Sequence, residues 1–192
     1  MGTVIKFIAV IFLVSFTSGD CCCQININEN LKQADSSEIF HKEVVREIIR
    51  DSLPHRVGRI NDFEKLFSKK QEKTLDSIIA DYENKKAIEI CIITIDTTLT
   101  TKKNFDDFVL FTHNMWEVGK KVKENGIVIG ISTTYRQIRI SNGYGIENIL
   151  TDSETKQIID NDFIPLFKQG EYYGGTLNGL LALIRKLNEN SK

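Results

Sequence analysis

The spacing of apolar side chains changes along the chain, and each change marks an element. After Ser68, residues Leu75, Ile78, Ile79 and Tyr82 recur at i, i+3, i+4 and i+7, which is one face of an α-helix. Ser68 with Gln71 three positions on supplies a capping box at its start. Ile88 to Ile95 is almost continuously apolar, as a strand covered on both faces is. Asn104 then precedes a helix to about Val118, in which Phe105, Phe108, Val109, Phe111, Met115 and Trp116 are dense enough to need cover on most sides. Asn125-Gly126, two residues that tolerate positive φ, turns the chain into a second central strand, Ile127 to Ile131.

In Gln137 to Ser141 apolar and polar residues alternate, so Ile138 and Ile140 face a core while Arg139 and Ser141 face the other way. The polar stretch Ser132 to Arg136 between these strands makes them an antiparallel hairpin. Thr151 with Glu154 is a second capping box, opening a helix near Asp152 that carries Ile158, Ile159 and Phe163 and ends around Pro165. Phe167 to Gly175 reads as a connection with exposed aromatics, and Thr176 to Leu187 as a last helix burying Leu177, Leu180, Leu181, Ile184 and Leu187. Strands alternating with helices, plus one hairpin, predict an α/β domain around a mixed sheet.

Ahead of the domain, Phe7 to Phe16 is an apolar run followed by small residues up to Gly19, the pattern of a secretory signal over 1–19. The expectation is export, to the periplasm or cell envelope. A permanent anchor is the weaker reading, because a spanning helix needs about 20 apolar residues. Residues 20–56 read as a polar, Asn-rich tether and an accessory helix, from Ser36 or Ser37 to Asp51, which leaves 57–188 as the domain. Cys21, Cys22 and Cys23 follow the signal; acylation of one would tether the chain, but no small residue directly precedes Cys21. Cys91, inside an apolar strand, is a small buried hydrophobe. The chain's 192 residues suit one domain. A formal net charge of -1 gives no electrostatic reason to expect nucleic acid or an anionic membrane as partner.

Candidate chemistry is confined to a few places. Asp96-Thr97-Thr98 follows the strand at Ile95, on the side of an α/β sheet where ligands bind. Thr98 stands where a dehalogenase-type phosphatase needs its second Asp. Gly143-Tyr144-Gly145 either makes a tight strand-to-helix corner or lets backbone approach a ligand. Asn61-Asp62 is read as a loop pair before a helix, either an Asx-turn or a set of oxygen donors. The chain has no Gly-Lys-Ser/Thr after a glycine loop and no complete dinucleotide fingerprint, so no nucleotide cofactor is expected.

Taken in order, Ile60-Asn61-Asp62-Phe63, Trp116-Glu117-Val118-Gly119, Glu124-Asn125-Gly126-Ile127, Arg136-x-x-Arg139-Ile140, Gly143-Tyr144-Gly145-Ile146-Glu147, Leu150-Thr151-Asp152 and Ile164-Pro165-x-Phe167 resemble the TPM-domain family. That family includes thylakoid-lumen and photosystem-repair proteins, a nematode receptor accessory protein and exported bacterial proteins. The resemblance implies a three-layer α/β/α sandwich, an extracytoplasmic setting, divalent-cation binding (Ca²⁺ or Mg²⁺) in some members and acid phosphatase activity in the plant branch. Carried over by position, it implies Asn61, Asp62, Glu147 and Asp152 as metal donors and Asn125, Gly143, Tyr144 and Gly145 as ligand-binding residues. For a phosphatase, Asp62, Asp152 and Arg139 are the catalytic candidates. Two departures stand out: Glu124 where many relatives have Asp, and Asn142 where many have valine.

Two functions compete. One is a cation-binding accessory or interaction module for a membrane complex of the envelope, with Tyr144, Tyr172 and Tyr173 suited to a partner surface. The other is a divalent-metal-dependent acid phosphatase acting on phosphomonoesters. The first is favoured, since a fold does not carry activity with it. Either way, the carboxylates are expected to converge above one end of the sheet, beside the glycine corner.

Overall fold

The computed structural model describes residues 53–119 and 124–191, with Glu47 and Arg50 in helical conformation ahead of them. The predicted signal, Cys21, Cys22 and Cys23, and most of the accessory helix lie outside the described residues. The elements are β1 (Ile60–Asp62), α1 (Lys69–Lys86), β2 (Glu89–Thr94), α2 (Phe105–Met115), β3 (Gly126–Ser132), β4 (Gln137–Asn142), α3 (Tyr144–Glu147), α4 (Asp152–Ile158), α5 (Ile164–Phe167) and α6 (Tyr172–Asn190). A 3-10 turn at Lys102–Asn104 leads into α2, and a π turn at Ile159–Phe163 joins α4 to α5. No helix among the described residues is long and apolar enough to cross a membrane.

One mixed sheet runs in the order β1-β2-β3-β4, with β1, β2 and β3 parallel and β4 antiparallel to β3. Successive side chains of a strand point to opposite faces, and this divides the core in two. Ile90, Ile92, Ile127, Ile129, Ile131 and Ile140 pack with Leu75 and Ile79 of α1 and Leu180 and Leu183 of α6. Cys91, Ile93 and Val128 pack with Phe105, Phe108 and Val109 of α2. The sheet is therefore the middle layer of an α/β/α sandwich. Arg139 and Ser141 point to the α2 face as the alternation predicts, but that face is covered, and Ser141 is buried.

Several boundaries differ from the expectation. Asn61 and Asp62 lie in strand β1, not in a loop before a helix. Three residues with one apolar side chain are too short to show a period, and pairing with β2 makes the strand. Asn104 closes the 3-10 turn and makes no side-chain cap. Helix α2 stops at Met115, which is 46% exposed instead of covered. Pro165 does not end the helical segment, because the π turn loosens the backbone just ahead of it. Ile164 N–H reaches back to the Ile159 carbonyl, and Pro165 occupies the first turn of α5, where a missing N–H is harmless. Helix α6 begins at Tyr172, before the predicted Thr176, and its first-turn tyrosines are half-buried, not exposed. Tyr172 packs on Phe167 at a centroid distance of 5.2 Å and Tyr173 on Phe67 at 6.4 Å.

Both predicted capping boxes form. Glu154 of the second also holds the C-terminal helix, accepting from Asn190 Nδ2 at 3.2 Å and lying 3.5 Å from Lys186 Nζ. Its carboxyl is held down to about 2, first by the Thr151 backbone N–H, then by the Asn190 amide and the Thr151 hydroxyl. A carboxyl whose value falls on folding adds stability above its ordinary value of 4.5, and that stability disappears as pH drops toward the folded value. Melting temperature should therefore decline between pH 4.5 and about 2, and Glu154→Gln should flatten that part of the profile. An identical acid profile in the variant would assign the effect to another group.

Candidate functional site

The sheet has two ends, and the residues singled out by sequence are divided between them. At the carboxyl end of β1, the two Asp62 oxygens accept from Leu66 N–H (2.9 Å), Phe67 N–H (2.7 Å) and the Thr94 hydroxyl (2.7 Å). Asp62 thus closes the loop between β1 and α1 and fastens it to β2. Glu64 does the same toward the hairpin, accepting from Thr133 N–H at 2.9 Å and Thr134 N–H at 3.3 Å. Asp96 holds Thr98 through its N–H at 2.8 Å. Asn61 is buried, its oxygen accepting from Val57 N–H (2.8 Å) and its amide donating to the Gly58 carbonyl (3.0 Å) and Cys91 Sγ (3.3 Å). Burial also pushes the Cys91 thiol up to about 12, so it stays a neutral packing group.

The glycine corner lies at the opposite end. Gly143 N–H donates to the Gly126 carbonyl at 2.8 Å and Gly145 N–H to the Glu124 carbonyl at 3.3 Å. A Cβ on Gly143 would sit 2.3 Å from the Glu124 carbonyl oxygen, and one on Gly126 would sit 2.0 Å from that of Val118. Three backbone segments therefore touch here, which only residues without side chains permit. The turn ahead of β3 differs from the prediction: positive φ falls on Glu124 (φ 56) and Gly119 (φ 77), not on Asn125 or Gly126. Asn125 instead continues the sheet, its carbonyl accepting from Glu89 N–H at 2.9 Å.

A cleft of about 220 Å³ opens beside this corner, lined among others by Leu110, His113, Glu124, Asn142, Tyr144 and Glu147. Tyr144 is 74% exposed and Leu110 43%, so an aromatic and an aliphatic side chain stand in solvent at its edge. His113 is buried, its Nδ1 2.9 Å from the Ser141 hydroxyl, tying α2 to β4. Glu147 belongs to this lining, whereas Asp152 is exposed on the first turn of α4 outside it. Arg139 faces α2, with its guanidinium 3.6 Å from Asp106.

The expected convergence of carboxylates is not what the fold produces. Asp62 lies level with Thr94, Ile131 and Ile138 across the strands, and the corner begins four residues further along β4, after Asn142. That is about 13 Å along the strands and about 14 Å across them. Metal–oxygen bonds are about 2.0–2.6 Å long, so Asp62 and Glu147 cannot share an ion. Among the described residues no group of three or more His, Cys, Asp or Glu side chains is placed to hold a metal. The sequence reading missed Leu110, His113 and Glu124 as cleft residues. The only linear signal is the i, i+3, i+4 spacing of Leu110, His113 and Asn114 on one face of α2.

A family model described as the TPM domain matches residues 60–186. Among solved structures, the chain is similar to the N-terminal domain of a protein from P. gingivalis, with 26% identity, 75% of this chain and 88% of that one covered, and a TM-score of 0.62. It is also similar in fold to the BA42 protein from the psychrophilic bacterium Bizionia argentinensis, at 20% identity, 67% and 86% coverage and a TM-score of 0.57. Comparison with curated proteins gives no match.

Proposed function

The chain belongs to the TPM-domain family, and from that premise we propose that it is an exported accessory module of the cell envelope that docks onto a membrane-protein complex. One observation carries the reading: Tyr144 and Leu110 stand in solvent at a cleft whose lining also includes Glu124 and Glu147. An exposed aromatic and an exposed aliphatic sharing one cleft with two exposed carboxylates suit a partner segment that offers an apolar anchor flanked by a basic side chain. The phosphatase alternative needs its carboxylates and a cation in one place. Asp62 and Glu147 lie at opposite ends of the sheet, and both Asp62 oxygens already accept protein hydrogen bonds. A cation shared by Asn61, Asp62, Glu147 and Asp152 does not fit this arrangement, and the proposal includes none.

A photo-crosslinking phenylalanine analogue placed at position 144 in living cells should give adducts with an integral membrane protein. Leu110→Ser should reduce their yield, and the same group at Asn84, exposed on α1, should give none. The purified chain should leave a generic phosphomonoester intact from acid to neutral pH with millimolar Ca²⁺ or Mg²⁺. Metal-dependent turnover abolished by Glu147→Gln or Asp152→Asn would overturn the reading in favour of the enzyme.

A further inference from the structure

At the sheet end away from the glycine corner, a larger cleft of about 580 Å³ lies between the β3–β4 turn and the turn joining α5 to α6. Small-molecule sites run from about 300 to 1,000 Å³. Its walls include Ile138, Ile164, Phe167 and Tyr172. All four are only half-buried although apolar, whereas Phe163, packed edge-on against Phe167, is fully buried. The walls therefore leave apolar surface uncovered inside a concavity.

The lips of the cleft carry Arg136 and Lys168. Both are exposed, and neither makes an ion pair among the described residues. Of the carboxylates closest in the chain and the turn, Glu64 is engaged by Thr133 and Thr134, and Glu171 is exposed beside Tyr172. Both cationic residues sit on backbone that is already fixed. Arg136 has φ 53, with its N–H on the Thr133 carbonyl at 3.3 Å. Lys168 N–H donates to Ile164 at 3.0 Å, and Gly170 at φ 82 closes the turn with its N–H on Phe167 at 3.0 Å. A site formed by two ordered turns loses little freedom on binding.

We propose that this cleft binds a small amphipathic anion, specifically a single-chain carboxylate. The chain lies against Ile138, Ile164, Phe167 and Tyr172, and the carboxylate meets the Arg136 guanidinium fork with Lys168 beside it. A wholly polar anion would leave the walls bare, and a neutral lipid would leave two cations without partners.

The test is calorimetric titration of the purified chain with decanoate, decanol and acetate, each below any micelle-forming concentration, alongside amide chemical-shift mapping. Decanoate should bind saturably and shift the amides of Ile138, Phe167 and Tyr172, while decanol and acetate each bind at least about tenfold more weakly. The double variant Arg136→Gln, Lys168→Gln should raise the decanoate Kd about tenfold without changing the melting temperature. Lys168→Gln alone, at an ordinary helical φ of -63, should weaken binding in the same direction and serves where the double variant is unstable. Decanol binding as tightly as decanoate removes the anionic role, and acetate binding as tightly removes the apolar one. Unchanged affinity in the variants, or shifts mapping to the glycine corner, overturns the site itself.

Discussion

Phe163→Ala should destabilise the domain by about 3–5 kcal/mol, the cost of removing a fully buried aromatic and leaving a cavity. Phe163 is 0% exposed and sits at the π turn, where the helical arm crosses α6. Its ring lies over Gly179: a Cβ there would be 2.1 Å from Phe163 Cε2. Gly179→Ala should therefore destabilise through overlap with a ring that has no room to move, by about 1–3 kcal/mol. In the Phe163→Ala background the same change should cost much less, because the methyl then enters the vacated space. Denaturant midpoints of the two single variants and the double variant measure this coupling. Additive losses would mean that the ring and the glycine do not share one contact.

Asp62→Ala should cost about 2–4 kcal/mol of folding stability, since it removes the acceptor for Leu66 N–H, Phe67 N–H and the Thr94 hydroxyl together. Hydrogen bonds to a charged acceptor contribute about 1.5–3 kcal/mol each, and partial exposure of the site lets water recover some of that. Asp62→Asn keeps an acceptor oxygen and should cost less. Urea unfolding separates this structural role from a ligand-holding one. A residue placed only to hold a cation would leave the stability of the metal-free chain unchanged or raised when replaced, and that outcome would restore Asp62 as a site residue.

The helices and the central strands were legible because their signals are local. The stripe at Leu75, Ile78, Ile79 and Tyr82 and the capping boxes at Ser68 and Thr151 each lie within a turn or two of chain, and the structure reproduces them. What was misread depends on distant partners. Strand β1 exists only through β2. Tyr172 and Tyr173 are half-buried through ring contacts with Phe167 and Phe67, and Met115 is left uncovered where α2 stops.

The candidate site shows the same division. Sequence order brought Asp62, Glu147 and Asp152 into one motif series, but order along the chain says nothing about which end of a strand a residue reaches. Because β4 runs antiparallel to β3, the chain returns to the amino end of the parallel strands before the corner begins. One reversal of direction separates Glu147 from Asp62 and places Leu110 and His113, never adjacent to the corner in sequence, beside it.

Residue pattern alone determined the α/β class and the mixed sheet with its hairpin, because periodicity and caps act over a few residues, and the ordered series of motifs carried the resemblance to the family. Which oxygen atoms are already committed, which aromatics remain in solvent and which cations line a cleft were decided only in three dimensions. Burial and hydrogen-bond satisfaction are properties of neighbours that the fold, not the sequence order, brings together.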